Sequence, residues 1–303
     1  MAFIRDKQFD GLKFILIFLV VWGHITNPNY DQLWTTRFIY SFHMPVFIFL
    51  SGYFSSTKIS WENLWKWTKK IMLIYLIAQT IHNGLAFIIC KQVERSRLLY
   101  IEPQFAMWYL MSLVFWRYSL KLVADKLNDH VILGLSFVLA VLVGFIPINT
   151  VFSFQRNFTF LPFFVLGYVF KKHGLIHSLE KKPYWLFIII FLVSMVGVRY
   201  LPIYMPNKHY GSIPIFLAQT ILGLVLCVTI IRLSRIKLME YFADYGKYTL
   251  WIYIGHTFLV VIQNAICAKI GLTINVWMSL ILSAIYVVLI TAVAIQYNKI
   301  RVH

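Results

Sequence analysis

Acidic side chains are scarce in this chain, with 11 Asp and Glu against 28 Lys and Arg in 303 residues. The apolar runs carry essentially none of them, which argues against a proton-coupled carrier built on intramembrane carboxylates. Cysteine is nearly missing too. Cys90, Cys227 and Cys267 stand singly in apolar runs, without the spacing of a disulfide framework or a zinc site, and read as core residues. There is no Gly-rich phosphate loop, no metal-type His/Glu pair and no Gly-x-Ser-x-Gly elbow. No charged or Pro/Gly/Ser-rich stretch is long enough to link two domains, so residues 1–303 are expected to form one domain. What remains is 60% hydrophobic and 18% aromatic, with 13% charged residues, the balance of an all-α polytopic membrane protein.

Apolar runs of spanning length recur at 12–26, 38–54, 71–90, 104–120, 131–147, 158–170, 184–201, 212–231, 248–268 and 277–297, which predicts about ten transmembrane helices. The first lacks a small-residue cleavage site and reads as a retained span. If the N-terminus faces the cytoplasm, twenty of the 28 Lys and Arg fall in inner segments, so both termini are expected to be cytoplasmic. The net charge of +17 is therefore distributed by topology, and no aromatic-basic motif points to nucleic acid.

The first run carries a polar seam. Lys13 and His24 are eleven residues apart, almost three helical turns, so both lie on one face about 16 Å apart. Asp10 falls within about 40° of His24 on the same wheel. Ionisable groups inside a span are costly and mark a functional path; the plainer alternative has Lys13 snorkelling to headgroups and His24 bonding a neighbouring helix. His43, in Ser41-Phe42-His43-Met44-Pro45, is expected at the depth of His24 after a short loop. His82 and His256 also fall in apolar runs. Buried imidazole is neutral, the form a general base needs.

Lys58, Lys66, Lys69 and Lys70 accompany Trp61, Trp65 and Trp67 after the second run. Lys66 and Lys69 share a helical face that suits phosphate groups, although a basic aromatic boundary is ordinary for a polytopic protein. Arg156 would anchor an anionic or sugar substrate or snorkel, and Trp108-Tyr109 would stack a sugar ring or sit at the interface. Two segments echo each other, Pro45 to Gly52-Tyr53 and Pro162 to Gly167-Tyr168. Pro early and Gly late in a helix is also common punctuation, and the echo is read that way.

These pieces, in this order, resemble the acyltransferase family 3 membrane proteins, the group that includes fucose 4-O-acetylase-like and other polysaccharide O-acetyltransferases. Asp10-Gly11-Leu12-Lys13 with His24 is similar to the family's basic-x10-His helix. Ser41 to Phe54 resembles its most distinctive stretch, and Leu161 to Tyr168 and Tyr245-Gly246-Lys247 to His256 resemble later landmarks.

The resemblance implies transfer of an acyl group, usually acetyl from acetyl-CoA, to a hydroxyl of an envelope or exported glycan or lipid-linked sugar. It makes His24 the catalytic base, with Lys13 as the paired basic residue; His43, an indole N–H or the backbone would then stabilise the developing oxyanion. The family's cofactor-facing Arg-x-x-Arg has its nearest match in Lys66-x-x-Lys69, flanked by Lys70, a departure because Lys lacks the bidentate fork of Arg. Arg156, Trp108 and His256 fall to the substrate side. A bacterial inner membrane is implied, with surrounding lipid and polysaccharide-synthesis proteins as partners. Some members carry an extra C-terminal domain; here the chain stops after the tenth run, so the membrane domain is expected to act alone or with a separate partner. A competing reading is a glycan or lipid-linked sugar transporter or flippase, which would leave no ester on its cargo. Another is a non-catalytic subunit of a synthesis complex.

Overall fold

The computed structural model describes residues 6–26, 34–90, 100–146, 151–201 and 213–302. Among them are twelve α-helices: α1 Lys7–Ile25, α2 Trp34–Tyr53, α3 Trp61–Cys90, α4 Trp108–Val123, α5 Asp129–Val143, α6 Phe154–Thr159, α7 Leu161–Lys172, α8 Leu175–Glu180, α9 Tyr184–Tyr200, α10 Ile213–Leu233, α11 Thr249–Ile270 and α12 Val276–Val302. Among the described residues the apolar runs of the sequence fall on helices, that at 158–170 on two of them. Five helical stretches are long and apolar enough to cross a membrane by length and composition: Lys7–Ile25, Trp61–Ile89, Ile213–Leu233, Gly246–Ile270 and Val276–Ile300. The chain is a helical integral membrane protein. Of the charges behind the orientation argument, Arg5, Lys91, Arg95, Arg97 and Lys208 lie outside the described residues.

Three boundaries differ from the expectation, each for a local reason. α3 starts ten residues before its apolar run, because Ser60 caps it through the Asn63 amide (3.2 Å) and Glu62 pairs with Lys66 across one turn (2.6 Å). α2 begins at Trp34, which places Pro45 inside the helix; a proline there removes only one backbone bond, and the flanking turns carry on. The run at 158–170 is broken at Phe160, so Arg156 belongs to a short helix of its own.

α1 is the centre of the packing. Asp6 accepts from the Phe9 amide (3.1 Å) at its start and also pairs with Arg235 (2.9 Å), which reaches Glu180 (2.7 Å). Burial disfavours the Arg235 charge, but its bonds to Glu180 and Asp6 outweigh that and hold its proton more firmly than usual. Phe9, Leu12 and Leu16 pack with residues of α2 and α10, while Ile17, Val20 and Val21 pack with those of α11 and α12. α9 and α12 instead expose Leu192, Val193, Val288 and Val293, apolar faces suited to lipid.

The echoing segments are neighbours. α2 and α7 run parallel: Gly223 touches both Pro45 and Phe163, Phe49 meets Phe170 edge to face (5.2 Å), and Lys171 lies over Tyr53 (5.0 Å). A Cβ on Gly52 would overlap the Phe164 carbonyl, and one on Gly167 the Phe49 carbonyl. These glycines are thus more than punctuation. Each admits the other helix's backbone, the close approach that small residues allow between membrane helices.

A candidate active-site cavity

Four helices turn one stripe each toward a cavity of about 620 Å³. α1 contributes Lys13, Ile17, Val20 and His24; α2 contributes Tyr40, His43, Met44, Phe47, Ser51 and Phe54; α4 contributes Trp108, Tyr109, Leu113 and Arg117. α11 and the turn before it add Lys247, Thr249, Leu250 and Tyr253. All four sets repeat every three or four residues, as one face of a helix must. Because Lys13 and His24 both line it, the cavity follows α1 for about 16 Å.

The Lys13 end is basic. Lys13 pairs with Asp10 (3.2 Å) and lies over the Phe54 ring (4.2 Å). Arg117 stacks over Trp67 (4.2 Å), and Lys247 stands on the same wall. Lys247 is there because the preceding Gly246 has no side chain: a Cβ would overlap the Asp10 backbone, so α1 and the Gly246 turn meet directly. Among the lining residues there are four cations, three at this end, and no Asp or Glu.

The His24 end is aromatic and tightly held. The connection at 27–33 lies outside the described residues, yet Tyr40 touches both His24 (6.2 Å) and His43 (4.9 Å). Phe105 packs on His24 with ring centres 4.6 Å apart. Phe105 sits at φ 51°, a left-handed conformation that costs a non-glycine residue of order 1–3 kcal/mol. Its segment is held by Tyr253, whose hydroxyl donates to the Ala106 carbonyl, and by Gln79, which donates to the Glu102 carbonyl (3.0 Å) and accepts from the Gln104 amide (3.1 Å). Phe152 and Ser153 are also left-handed. They lead into α6, where Trp116 donates to the Asn157 carbonyl (2.6 Å) and Asn157 to the Phe152 carbonyl (3.0 Å).

That strained entry aims Arg156 into the cavity, 4.8 Å over the Trp108 ring. Phe160 stacks on Trp108 at 5.4 Å, leaving the indole 9% exposed. Trp108 is a platform for a guanidinium, with little free face for a sugar.

The His43 Nδ1 lies 2.7 Å from the Ile39 carbonyl. A carbonyl only accepts, so Nδ1 carries the proton, and in the neutral ring Nε2 is an acceptor. His43 therefore suits the receipt of a hydroxyl hydrogen better than donation to an oxyanion. His256 is fully buried behind the cavity wall, 5.4 Å from His24 between ring centres.

The cavity thus joins Lys13, His24, His43, Trp108 and Arg156. It does not include Lys66, Lys69 or Lys70: Lys66 is 67% exposed in its pair with Glu62, and Lys69 lies over Trp65 (5.4 Å) on the same outward face. Arg117 and Lys247 take the corresponding place on the wall. Arg117 was visible in the i, i+4 series Tyr109, Leu113, Arg117, and Lys247 in the glycine before it.

A family model for an acyltransferase domain matches residues 6–296. Nodulation protein NolL of Mesorhizobium japonicum is 26% identical over 206 residues, covering 63% of this chain and 54% of that protein. Nodulation protein NolL of Sinorhizobium fredii is 45% identical over 62 residues, covering 18% of this chain and 17% of that protein. The chain spans about half the length of the first of these relatives. No solved structure matches it.

Proposed function

Because the chain belongs to the acyltransferase 3 family, we propose that its cavity transfers an acyl group, acetyl from acetyl-CoA, to a hydroxyl of an envelope or exported glycan. The observation that carries this reading is the continuity of the cavity between a basic end at Lys13 and an imidazole at His24. A phosphopantetheine arm is a long extended chain with phosphates at one end and the thioester at the other. Lys13, Arg117 and Lys247 would hold the phosphates. The apolar stretch between, lined by Phe47, Leu50 and Leu113, suits the arm itself.

His24 would take the proton of the acceptor hydroxyl as its oxygen bonds to the thioester carbonyl carbon. The same imidazole would return that proton to the sulfur as the carbon–sulfur bond breaks, giving an ester and a free thiol. His43 Nε2 would accept from a second hydroxyl and orient the acceptor. Arg156 would donate to the carbonyl oxygen while it carries negative charge, in a site screened from water by Phe105, Phe160 and Trp108.

In this reading the ten apolar runs all cross the membrane, both termini are cytoplasmic, and the basic end meets the compartment that holds acetyl-CoA. The bacterial relatives support a bacterial inner membrane. The test supplies acetyl-labelled acetyl-CoA and envelope glycan to membranes containing the protein or its His24→Ala variant. A base-labile labelled ester on glycan, formed by the intact protein alone, is expected. Glycan movement without any ester would favour the transporter instead.

A further inference from the structure

The buried histidine behind the cavity wall has a nitrogen with nothing to do. His256 lies on α11 one turn beyond Tyr253 and is 0% exposed. Its Nδ1 is 2.9 Å from the Ile252 carbonyl, so Nδ1 carries the proton and Nε2 presents a lone pair in the neutral ring. Nε2 is buried and makes no hydrogen bond among the described residues. A buried acceptor left unsatisfied costs about 1–3 kcal/mol, so such an atom calls for an explanation.

The surroundings supply one. The His24 ring stands 5.4 Å away at 31°, the separation of two imidazoles that meet edge to edge at hydrogen-bond distance. Phe105 closes one side, 4.6 Å from His24 and 6.2 Å from His256, and Tyr253 closes another at 6.4 Å from His256. The Tyr253 hydroxyl is committed to the Ala106 carbonyl. His24 is thus an N–H donor beside that lone pair; His82, whose Nε2 is also unpaired among the described residues, is near His256 as well and is the competing imidazole.

We propose that His256 is a positioning residue for His24, its Nε2 accepting a hydrogen bond from one N–H of the His24 ring so that the other nitrogen faces the cavity as the base. This inference rests on the reading of His24 as the base. A base with two ring nitrogens must be fixed in one tautomer and one orientation to work efficiently, and a partner on the far nitrogen does both. The bond strengthens when His24 takes up the acceptor's proton, because its donor is then charged. His256 itself exchanges no proton with substrate in this arrangement.

The experiment compares His256→Asn with His256→Gln in membranes, using acetyl-CoA and a glycan fraction that the intact protein acetylates. Asn reproduces the donor to Ile252 but ends short of Nε2, whereas Gln reaches the Nε2 position with an acceptor oxygen. Expected is a fall in kcat of roughly 10–100-fold for Asn, with KM for acetyl-CoA unchanged, and recovery of most of kcat with Gln. His82→Asn tests the competing imidazole, because His82 is also buried, with an Nε2 unpaired among the described residues, and packs on Phe105 at 6.0 Å, without a ring contact to His24 among the described residues. It is expected to keep kcat within about twofold, since a site without a direct bond to the base alters little. Equal kcat for His256→Asn and the intact protein, at matched amounts of monodisperse protein in detergent, would overturn the proposal. So would a Gln variant as slow as the Asn one. Full activity of His24→Ala would instead remove the base reading on which the proposal stands.

Discussion

The two ends of the cavity are built on different principles. At the Lys13 end the charges are carried by long side chains over aromatic rings, and one of them, Lys13, keeps a companion in Asp10. At the His24 end, backbone in left-handed conformation and buried hydrogen bonds fix Phe105, Trp108 and Arg156. An adaptable end suits a ligand held by charge, where a displacement of an ångström changes little. A rigid end suits bond making, where the same displacement is costly. The contrast predicts that substitutions at the His24 end act on kcat, and those at the Lys13 end on KM.

The sharpest way to break this comparison is His24→Ala. Loss of a general base is expected to lower kcat by about 10²–10⁴-fold with little change in KM for acetyl-CoA, read as labelled ester per unit time. Next is Arg156→Gln, expected to lower kcat by about 10²-fold, the scale of one lost oxyanion donor. If Arg156→Gln raised only the KM of the glycan, the guanidinium would belong to acceptor binding and the two ends would differ less than argued. Arg117→Ala and Lys247→Ala are each expected to raise KM for acetyl-CoA by roughly tenfold, about 1.4 kcal/mol, with kcat retained. Steady-state kinetics at saturating glycan separates the two constants. Smallest is the double change Lys66→Ala with Lys69→Ala, expected to shift KM by less than about twofold, because exposed pairs contribute little. A larger effect would extend the donor site onto the outer face of α3.

Much of this arrangement could be read in the chain beforehand, and the rest fails for identifiable reasons. The α1 seam was legible because eleven residues return a helix to the same face whatever surrounds it. The histidines at 24 and 43 followed from the same periodicity and a short connection. Lys66 and Lys69 share a face but do not line the cavity, because spacing shows that two residues share a face, not which neighbour the face meets. Arg117 sat in a visible i, i+4 stripe but counted only as a topological charge. The separate helix around Arg156 depends on left-handed residues at Phe152 and Ser153, types that give no local sign of it. The echo of Gly52 and Gly167 was seen, but their mutual contact is long-range and could not be.

That contact has a consequence for how the cavity is dimensioned. α2 carries His43, Ser51 and Phe54 on one wall, and the chain that enters α7 carries Arg156 and Phe160 on the other. Where α2 and α7 cross, peptide atoms rest on peptide atoms at Gly52 and Gly167. The gauge between the two walls is therefore set by the main chain, whose dimensions never vary, as a jig sets the spacing of parts machined separately. A change in side-chain size around the cavity leaves the spacing of those two backbones as it is.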